Sequence, residues 1–267
     1  MKQFSVILIG AGNRGTTYCS YMNNMPDKYK IVGIAEPDSF RRMEAAKNWN
    51  VPSENCFADW REILSRPKFA DIAVKGLTTI MKLYPNTVRA TSETEEMCRL
   101  VFPLALLYEY TGKEEHYEWL HRVVKDLEKV KHPSGGYAEW DTGYKARRSR
   151  KEGDECSLLA NNGDPVADLL YANNWLPLGF AYAYMVSKEE YFHKKWEEIA
   201  TFLLRCQMHS DDKLLDGAWT RAMDLNRMES YGVPHDIGWA PCCIETGWTV
   251  AEILMGLQFM AIAEKHI

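Results

Sequence analysis

Three glycines near the N-terminus have the spacing of a turn that binds phosphate. They lie in the run Gly10-Ala11-Gly12-Asn13-Arg14-Gly15, directly after a predicted strand over residues 5–9. In such a turn the first glycine permits the tight bend, the second lets the backbone approach a pyrophosphate, and the third lets a helix pack on the preceding strand. The N-terminus of that helix attracts the phosphates. The predicted nucleotide-binding residues are Gly10, Gly12, Asn13, Arg14 and Gly15.

An acidic residue follows this turn at the distance that a dinucleotide site requires. Glu36 lies 21 residues after Gly15, at the end of an apolar run over residues 31–35. Its carboxylate can accept hydrogen bonds from both ribose hydroxyls of NAD. A 2′-phosphate would be repelled there, so the sequence favours NAD over NADP as cofactor. Arg41 and Arg42 lie close enough to leave NADP open.

Tryptophans and carboxylates occur together in later parts of the chain. A tryptophan face stacks on the apolar C–H face of a sugar ring, and carboxylates hydrogen-bond its hydroxyl groups or act as acid and base. The candidate catalytic residues are Asp141, Asp224, Asp236 and Glu245. The candidate substrate-binding residues are Trp140, Trp219, Arg221 and Trp239. Alternatively, the tryptophans cap a helical core, Arg221 pairs with Asp224, Asp236 is a turn residue and Glu245 caps the last helix.

Two kinds of element must position these residues. Before residue 75, apolar runs at 4–9, 30–35 and 70–74 alternate with helices beginning near residues 14 and 39, as in the βαβαβ unit of a parallel sheet. Beyond residue 91 the apolar spacing predicts long helices joined by loops rich in glycine and tryptophan.

Helix boundaries are predicted by several residues in this later part. Ser92 and Glu95 form a capping box at the start of a helix, Pro103 kinks it and Gly112 ends it. A second helix covers 113–131, and together they form a hairpin. Asp164-Pro165 begins another helix, which breaks near Pro177 before a return helix over 188–208. The last helix runs from about residue 245 to 264.

Residues 4–74 resemble the N-terminal, NAD-binding Rossmann domain of the Gfo/Idh/MocA oxidoreductase family. The resemblance rests on GAGNRG, IVGIAEPD, FADWREILSRP and ADIAV, read along the chain from residue 10, and it implies a packing helix over residues 59–64 before the third strand. In that family a Glu-Lys-Pro segment after the third strand supplies a lysine near the nicotinamide, and a large antiparallel sheet completes the substrate pocket. This chain has no Glu-Lys-Pro, and its later residues lack the alternation of such a sheet. The family's hydride transfer is therefore the less favoured expectation.

Residues 91–267 resemble the (α/α) toroid of six-hairpin glycosidase-type proteins. The resemblance rests on the run from Gly217 to Asp224, on Tyr231-Gly232, on Asp236-Ile237-Gly238-Trp239-Ala240-Pro241 and on Ile244-Glu245-Thr246-Gly247-Trp248. A complete toroid has about a dozen helices, whereas five or six are predicted here. The resemblance therefore implies an open arc that buries its inner faces against the Rossmann part or against another subunit in a homo-oligomer.

The fold class expected is α/β plus all-α: a truncated Rossmann βαβαβ unit followed by an incomplete toroid of helical hairpins. The expected domains are a dinucleotide-binding lobe over residues 1–76, a linker over 77–90 and a helical domain over 91–267. A content of 46% apolar and 26% charged residues predicts a folded chain. A net charge of −5 without a basic stripe argues against nucleic-acid and membrane partners. The seven scattered cysteines and seven histidines predict neither disulfides nor a metal site.

Three functions remain open on the sequence alone. The favoured one is a carbohydrate-processing enzyme, a glycoside hydrolase or similar, that takes a sugar or oligosaccharide and carries an NAD-binding lobe. The second is an NAD-dependent sugar or polyol oxidoreductase. The third is a non-catalytic nucleotide-binding fusion protein. No export signal or membrane span is read in the sequence, so a cytoplasmic location is expected.

Overall fold

A computed structural model describes residues 3–144, 158–232, 244–245 and 248–266. The chain divides into two compact units, Met1–Lys82 and Leu83–Ile267. The first contains a parallel β-sheet with helices, and the second is mostly helical. The predicted combination of a Rossmann-like unit with a helical remainder is therefore confirmed.

The first unit is built on a three-stranded parallel sheet. Its strands are β1 (Phe4–Ile9), β2 (Tyr29–Ala35) and β3 (Cys56–Phe57), in the order β1-β2-β3. Strand β1 pairs with β2 from Phe4↔Tyr29 to Ile9↔Ala35, so both strands end at the same edge of the sheet. The predicted first and second strands are confirmed. Their apolar side chains pack with those of two helices in a core that includes Leu8, Ile34 and Trp49.

Three helices of this unit begin where the sequence predicts. They are α1 (Asn13–Asn23), α2 (Ser39–Asn48) and α3 (Trp60–Leu64). Asp38 caps α2 by accepting a hydrogen bond of 2.8 Å from the Arg41 N–H. Asp59 and Glu62 form a capping box at α3. These caps satisfy backbone N–H groups that have no partner within a helix.

The prediction of a third strand at residues 70–74 is wrong. These residues lie within helix α4 (Pro67–Leu83), and the third strand is instead the short β3. Pro67 is compatible with a helix because the first turn needs no N–H donor there. Phe69 packs with Ala35, Phe57 and Ile63, so a helical face covers the sheet at this point. The predicted linker, residues 77–90, begins inside α4.

The second unit contains five α-helices within its described residues. They are α5 (Glu93–Thr111), α6 (Glu114–Leu127), α7 (Leu176–Ser187), α8 (Glu190–Arg205) and α9 (Trp248–Ala263). The predicted stop at Gly112 is confirmed, since this residue ends α5 with φ +62°. Helix α5 packs on α6 and α7, and α7 also packs on α8 and α9. Among the described helices, none has the length and apolar character to cross a bilayer.

The predicted start of α5 beside Ser92 is confirmed, whereas its capping box and the helix start predicted at Asp164-Pro165 are wrong. Ser92 precedes α5, but its hydroxyl donates to the Thr91 carbonyl, and no side chain caps the helix. Asp164-Pro165 leads into strand β4 (Val166–Asp168) instead of a helix. Pro177 lies in the first turn of α7, so it begins a helix that the sequence expected it to break.

Short antiparallel strands connect the loops of the second unit. Strand β4 pairs with β6 (Ala222–Asp224), which also pairs with β7 (Glu229–Ser230). Strand β5 (Trp219–Thr220) pairs with β8 (Ile244–Glu245). The backbone of Glu245 is therefore in a strand, and the predicted helix cap at this residue is wrong. These pairings bring residues near 168 and 221 together although 53 positions separate them.

Candidate functional site

The glycine-rich turn connects β1 to α1 as the spacing predicts. Gly10 has φ +86°, a conformation that residues with a side chain rarely adopt, and its N–H donates to the Ala35 carbonyl at 2.8 Å. A Cβ added at Gly15 would lie 2.1 Å from the Gly10 carbonyl oxygen and 2.8 Å from Leu8 Cδ1. Helix and strand therefore approach each other more closely than any other residue allows.

Gly12 lies at the open side of the same turn. A Cβ added there would meet no atom within 4 Å, and no side chain caps the first turn of α1. An open cleft of about 670 Å³ lies against this turn, lined by the second half of β1 and by one face of α1. Gly12, Asn13 and Arg14 line this cleft. The helix N-terminus and the missing side chain of Gly12 thus leave room for a phosphate group.

Glu36 lies next to the turn, at the end of β2. Its side chain is buried, with 6% of the residue exposed. One carboxylate oxygen accepts a hydrogen bond of 2.6 Å from the Ala11 N–H, and the other accepts one of 3.0 Å from the Asp38 N–H. Each oxygen retains a second lone pair for a ligand hydroxyl. The acidic residue is therefore held beside the phosphate-binding turn.

The two arginines that left NADP open have different environments. The Arg42 guanidinium donates to the Glu36 carbonyl and, at 3.1 Å, to the Pro37 carbonyl. Arg41 is exposed, and its N–H is the donor that Asp38 accepts. Arg42 is thus used to hold the backbone after β2.

In the second unit, Trp140 and Asp141 occupy opposite sides of an extended segment. Trp140 is 43% exposed, whereas Asp141 is 6% exposed. The backbone of Asp141 exchanges hydrogen bonds with the Asn162 side chain, at 3.1 and 2.7 Å. The Trp140 ring is open to a ligand, and the carboxylate of Asp141 faces the interior.

Trp219, Arg221 and Asp224 lie close together in sequence but have separate roles. Trp219 is fully buried and its indole N–H donates to the Leu203 carbonyl at 2.7 Å, so the predicted stacking on a sugar is not available to it. The Arg221 guanidinium lies 3.3 Å from Asp168, which corrects the alternative pairing with Asp224. Asp224 accepts hydrogen bonds from the N–H groups of residues 226 and 227 and thereby forms a turn.

The remaining predicted residues fall largely outside the described residues. Asp236 and Trp239 lie there entirely, and for Glu245 only the backbone is described. The structure thus places Asp141 and Arg221 near each other and Asp224 in a turn. The side chains of Asp236, Trp239 and Glu245 lie outside the described part of the chain.

The structure adds three acidic residues that the sequence analysis did not select. Asp168 is 1% exposed and Glu139 is 6% exposed, and both lie near the Glu95 side chain on the first turn of α5. Asp168 accepts hydrogen bonds from the N–H groups of residues 170 and 171, at 2.7 and 2.6 Å, in addition to its ion pair with Arg221. Over residues 139–141 buried and exposed side chains alternate, with Trp140 exposed between Glu139 and Asp141. This period of two was the only feature of the sequence that indicated the burial of Glu139.

Burial and mutual repulsion alter the acidity of these carboxyl groups. Burial, and secondly the charge of Asp168, raise the pKa of Glu95 to about 7, against the opposing effect of nearby arginines. Burial together with the charges of Asp168, Glu95 and Asp141 raises the pKa of Glu139 well above its ordinary value. Raised carboxyl pKa values of this kind occur at acid–base sites.

Metal ligands do not cluster in the described part of the chain, where no group of three or more histidine, cysteine or acidic side chains has the arrangement for a metal ion. The described cysteines 19, 56, 98 and 206 are free thiols.

Comparison with known proteins identifies the first unit. The family model for the Gfo/Idh/MocA oxidoreductases, described as an oxidoreductase family with an NAD-binding Rossmann fold, matches residues 4–90, about a third of the chain. No curated protein matches the chain. No solved structure matches it either. The match agrees with the resemblance seen over residues 4–74, and residues 4–90 are therefore similar to the NAD-binding Rossmann domain of the Gfo/Idh/MocA oxidoreductases.

Proposed function

We propose that the first unit binds NAD through its adenosine and pyrophosphate groups. The observation that carries this proposal is the position of Glu36, whose carboxylate is fixed beside the open turn by the Ala11 N–H at 2.6 Å. A pyrophosphate in the cleft would meet the N-terminus of α1 over Gly12, where no side chain blocks its approach. The ribose hydroxyls would then donate to Glu36. In this arrangement the residues of the turn bind and orient the nucleotide.

The same geometry favours NAD over NADP. A 2′-phosphate would meet the Glu36 carboxylate, and like charges at close range repel each other strongly where solvent is excluded. Arg42, which could compensate that charge, is engaged with two backbone carbonyls. We therefore propose that NADP binds at least tenfold more weakly than NAD.

Calorimetric titration of the full chain with NAD, NADP and ADP-ribose tests this proposal. We expect NAD and ADP-ribose to bind with similar affinity, because the described parallel sheet supplies the adenosine half of a dinucleotide site. Glu36→Ala should weaken NAD binding at least tenfold, whereas Glu44→Gln, at an exposed position of α2, should leave it unchanged. Equal affinity for NAD and NADP, or no binding of either, would contradict the proposal.

We propose carbohydrate chemistry in the second unit as a second candidate function. The supporting observation is the group of carboxyls formed by the buried Glu139 and Asp168 with Glu95, in which Glu95 and Glu139 have raised pKa values. A carboxyl group of raised pKa close to a second carboxyl group is what hydrolysis of a glycosidic bond requires. The motifs around residues 217–248 that resemble six-hairpin glycosidase-type proteins support the same candidate. Release of reducing ends from a panel of oligosaccharides is the test.

Hydride transfer to or from a sugar is the alternative enzymatic function. Lys75, the lysine that follows the predicted third strand, is exposed in the middle of α4 instead of at the end of a strand. The structure therefore offers little support for a catalytic lysine at this position. NAD reduction measured at 340 nm with a panel of sugars and polyols distinguishes the two functions. Binding of NAD without turnover in either assay would favour a non-catalytic role.

A further inference from the structure

Four segments of the second unit converge on the Glu139 side chain. Thr94 of α5 donates to the Ala138 carbonyl at 3.0 Å and accepts from the Trp140 N–H at 3.1 Å, so it holds the backbone on both sides of Glu139. The Glu139 N–H donates to the Val166 carbonyl of β4 at 2.7 Å. The Arg221 carbonyl accepts from the N–H of residue 169 at 2.7 Å. Helix α5, segment 138–141, β4 and the β5–β6 connection thus surround one point.

One oxygen of the Glu139 carboxyl group is buried there without a hydrogen bond to the described residues. The exposed fraction of Glu139 is 6%, and the atom concerned is Oε1. An unsatisfied buried polar atom is costly, and a ligand or a water molecule that supplies the missing hydrogen bond accounts for it. The groups that face Glu139 are Glu95, Cys98, Asp141, Asp168 and Arg221.

Glu139 and Asp168 have different partners. Burial, and then the charges of Asp168, Glu95 and Asp141, raise the pKa of Glu139, against the opposing charge of Arg221. Burial also raises the pKa of Asp168, but Arg221 and two backbone N–H donors favour its charged form. These partners favour a proton on Glu139 and a carboxylate at Asp168. A protonated carboxyl group donates a hydrogen bond, and a carboxylate accepts several.

The cluster opens toward solvent on one side. The exposed fraction of the side chain rises from 1% for Asp168 and 11% for Arg221 to 20% for Glu95 and 35% for Arg99. Arg99 and Arg221 both lie over the Tyr171 ring, at 5.5 and 5.7 Å from its centroid, which fixes the two guanidinium groups.

We propose that Glu139, Asp168 and Glu95, with Arg99 and Arg221, form a binding site for a sugar ring, in which Glu139 donates a hydrogen bond to a ring hydroxyl. Hydroxyl groups both donate and accept, which matches a protonated acid, carboxylates and guanidinium groups in one site. A strongly anionic ligand would be repelled by the carboxylates, and a cation by the arginines. The proposal rests on the carbohydrate function proposed for the second unit, and it is independent of NAD binding.

The experiment is saturation-transfer NMR on the full chain with D-glucose, D-galactose, D-glucuronate and cellobiose as probes. We expect at least one probe to bind at pH 7 and Glu139→Leu, which fills the volume without hydrogen bonding, to weaken it at least tenfold. Glu139→Gln keeps a neutral donor and should bind within about threefold of wild type. Glu118→Gln, exposed on α6, is the matched control. Far-UV circular dichroism and a cooperative urea-unfolding transition like that of wild type show that each variant is folded.

The pH profile separates a direct role of Glu139 from a structural one. As pH rises, wild type should lose affinity because Glu139 loses its proton, whereas Glu139→Gln should retain only the change due to Glu95, whose pKa is about 7. If a probe binds and Glu139→Leu binds it equally well, or if the two pH profiles coincide, the site is not at Glu139 and the carbohydrate proposal survives. If no probe binds wild type, both proposals fail.

Discussion

Replacing Gly15 by alanine tests whether the glycine turn is closed by packing. The new Cβ would lie 2.1 Å from the Gly10 carbonyl oxygen and 2.8 Å from Leu8 Cδ1. Contacts of carbon with oxygen below about 3 Å are strongly repulsive, so α1 must move by roughly 1 Å away from the turn. The backbone oxygen cannot rotate aside as a flexible side chain would.

Overpacking a well-packed contact lowers the free energy of unfolding by about 1–3 kcal/mol, and we expect a loss of this size for Gly15→Ala. For a unit of the size of Met1–Lys82, each 1 kcal/mol lowers the melting temperature by about 4–8 °C. We therefore expect Gly15→Ala to lower the melting temperature of the first unit by at least about 4 °C. Its NAD affinity should fall as well, because the helix N-terminus is displaced from the pyrophosphate.

Gly12→Ala is the matched control, since its Cβ meets no atom within 4 Å. Gly12 has φ −73°, which alanine adopts readily, so the weaker N-cap and the reduced freedom of the unfolded chain nearly cancel. Stability should stay within about 0.5 kcal/mol of wild type, while the methyl group hinders the approach of the phosphate.

Hydrogen exchange of residues 4–23 followed by mass spectrometry, together with calorimetric titration of NAD, measures both quantities. Faster exchange in Gly15→Ala and weaker NAD binding in both variants are expected. Wild-type exchange in Gly15→Ala would refute the packing role of this glycine. Wild-type NAD affinity in Gly12→Ala would refute the approach of pyrophosphate over Gly12.

Further predictions concern the second unit. As pH rises from 4.5 to about 7, wild type should lose stability relative to Glu95→Gln. The pKa of Glu95 is raised, first by burial, so the folded state binds the proton more tightly than the unfolded state does. The loss in unfolding free energy is at most about 3 kcal/mol, and urea unfolding at several pH values measures it. Thr94→Val removes two hydrogen bonds of 3.0 and 3.1 Å and should cost about 1–3 kcal/mol, whereas Thr142→Val, at an exposed position, should cost almost nothing by the same measurement. Trp219→Ala should cost about 3–5 kcal/mol because the ring is fully buried, and Trp140→Ala, 43% exposed, should cost less than half as much; equal losses would contradict the assignment of Trp219 to the core.

The first unit was largely predictable because its constraints are local. The φ of Gly10, the close approach at Gly15 and the strand end at Glu36 all follow from a short run of sequence and its spacing. Residues 70–74 were mispredicted because an apolar run of this length fits a buried strand and a buried helix equally well. What decides for the helix is tertiary: Phe69 packs against Phe57 and Ile63.

The acidic cluster was not predictable from motifs, because its members are far apart in sequence. Glu95 was interpreted as a helix cap, yet it lies with Asp168 and Glu139, 73 and 44 positions later in the chain. The antiparallel pairing of β4 with β6, the two hydrogen bonds of Thr94 and the bond from the Glu139 N–H to the Val166 carbonyl bring these segments together. Asp141 and Arg221, which the sequence analysis selected as candidate site residues, lie near this cluster. Each is one or two positions from residues whose burial cannot be read from the sequence.

The composition of the acidic cluster favours the proposed ligand site over a purely structural role. Replacing a buried ionic network by apolar side chains of similar volume is often neutral or stabilising, so stability alone does not account for three carboxyls and two arginines around one point. Asp168 has its hydrogen bonds satisfied by two backbone N–H groups and Arg221, whereas the Oε1 atom of Glu139 lacks a partner among the described residues. A stabilising network would satisfy both carboxyls. The difference between them is what a site that receives a ligand hydroxyl at Glu139 requires, and Glu139→Leu should therefore fold at least as stably as wild type while losing the ligand.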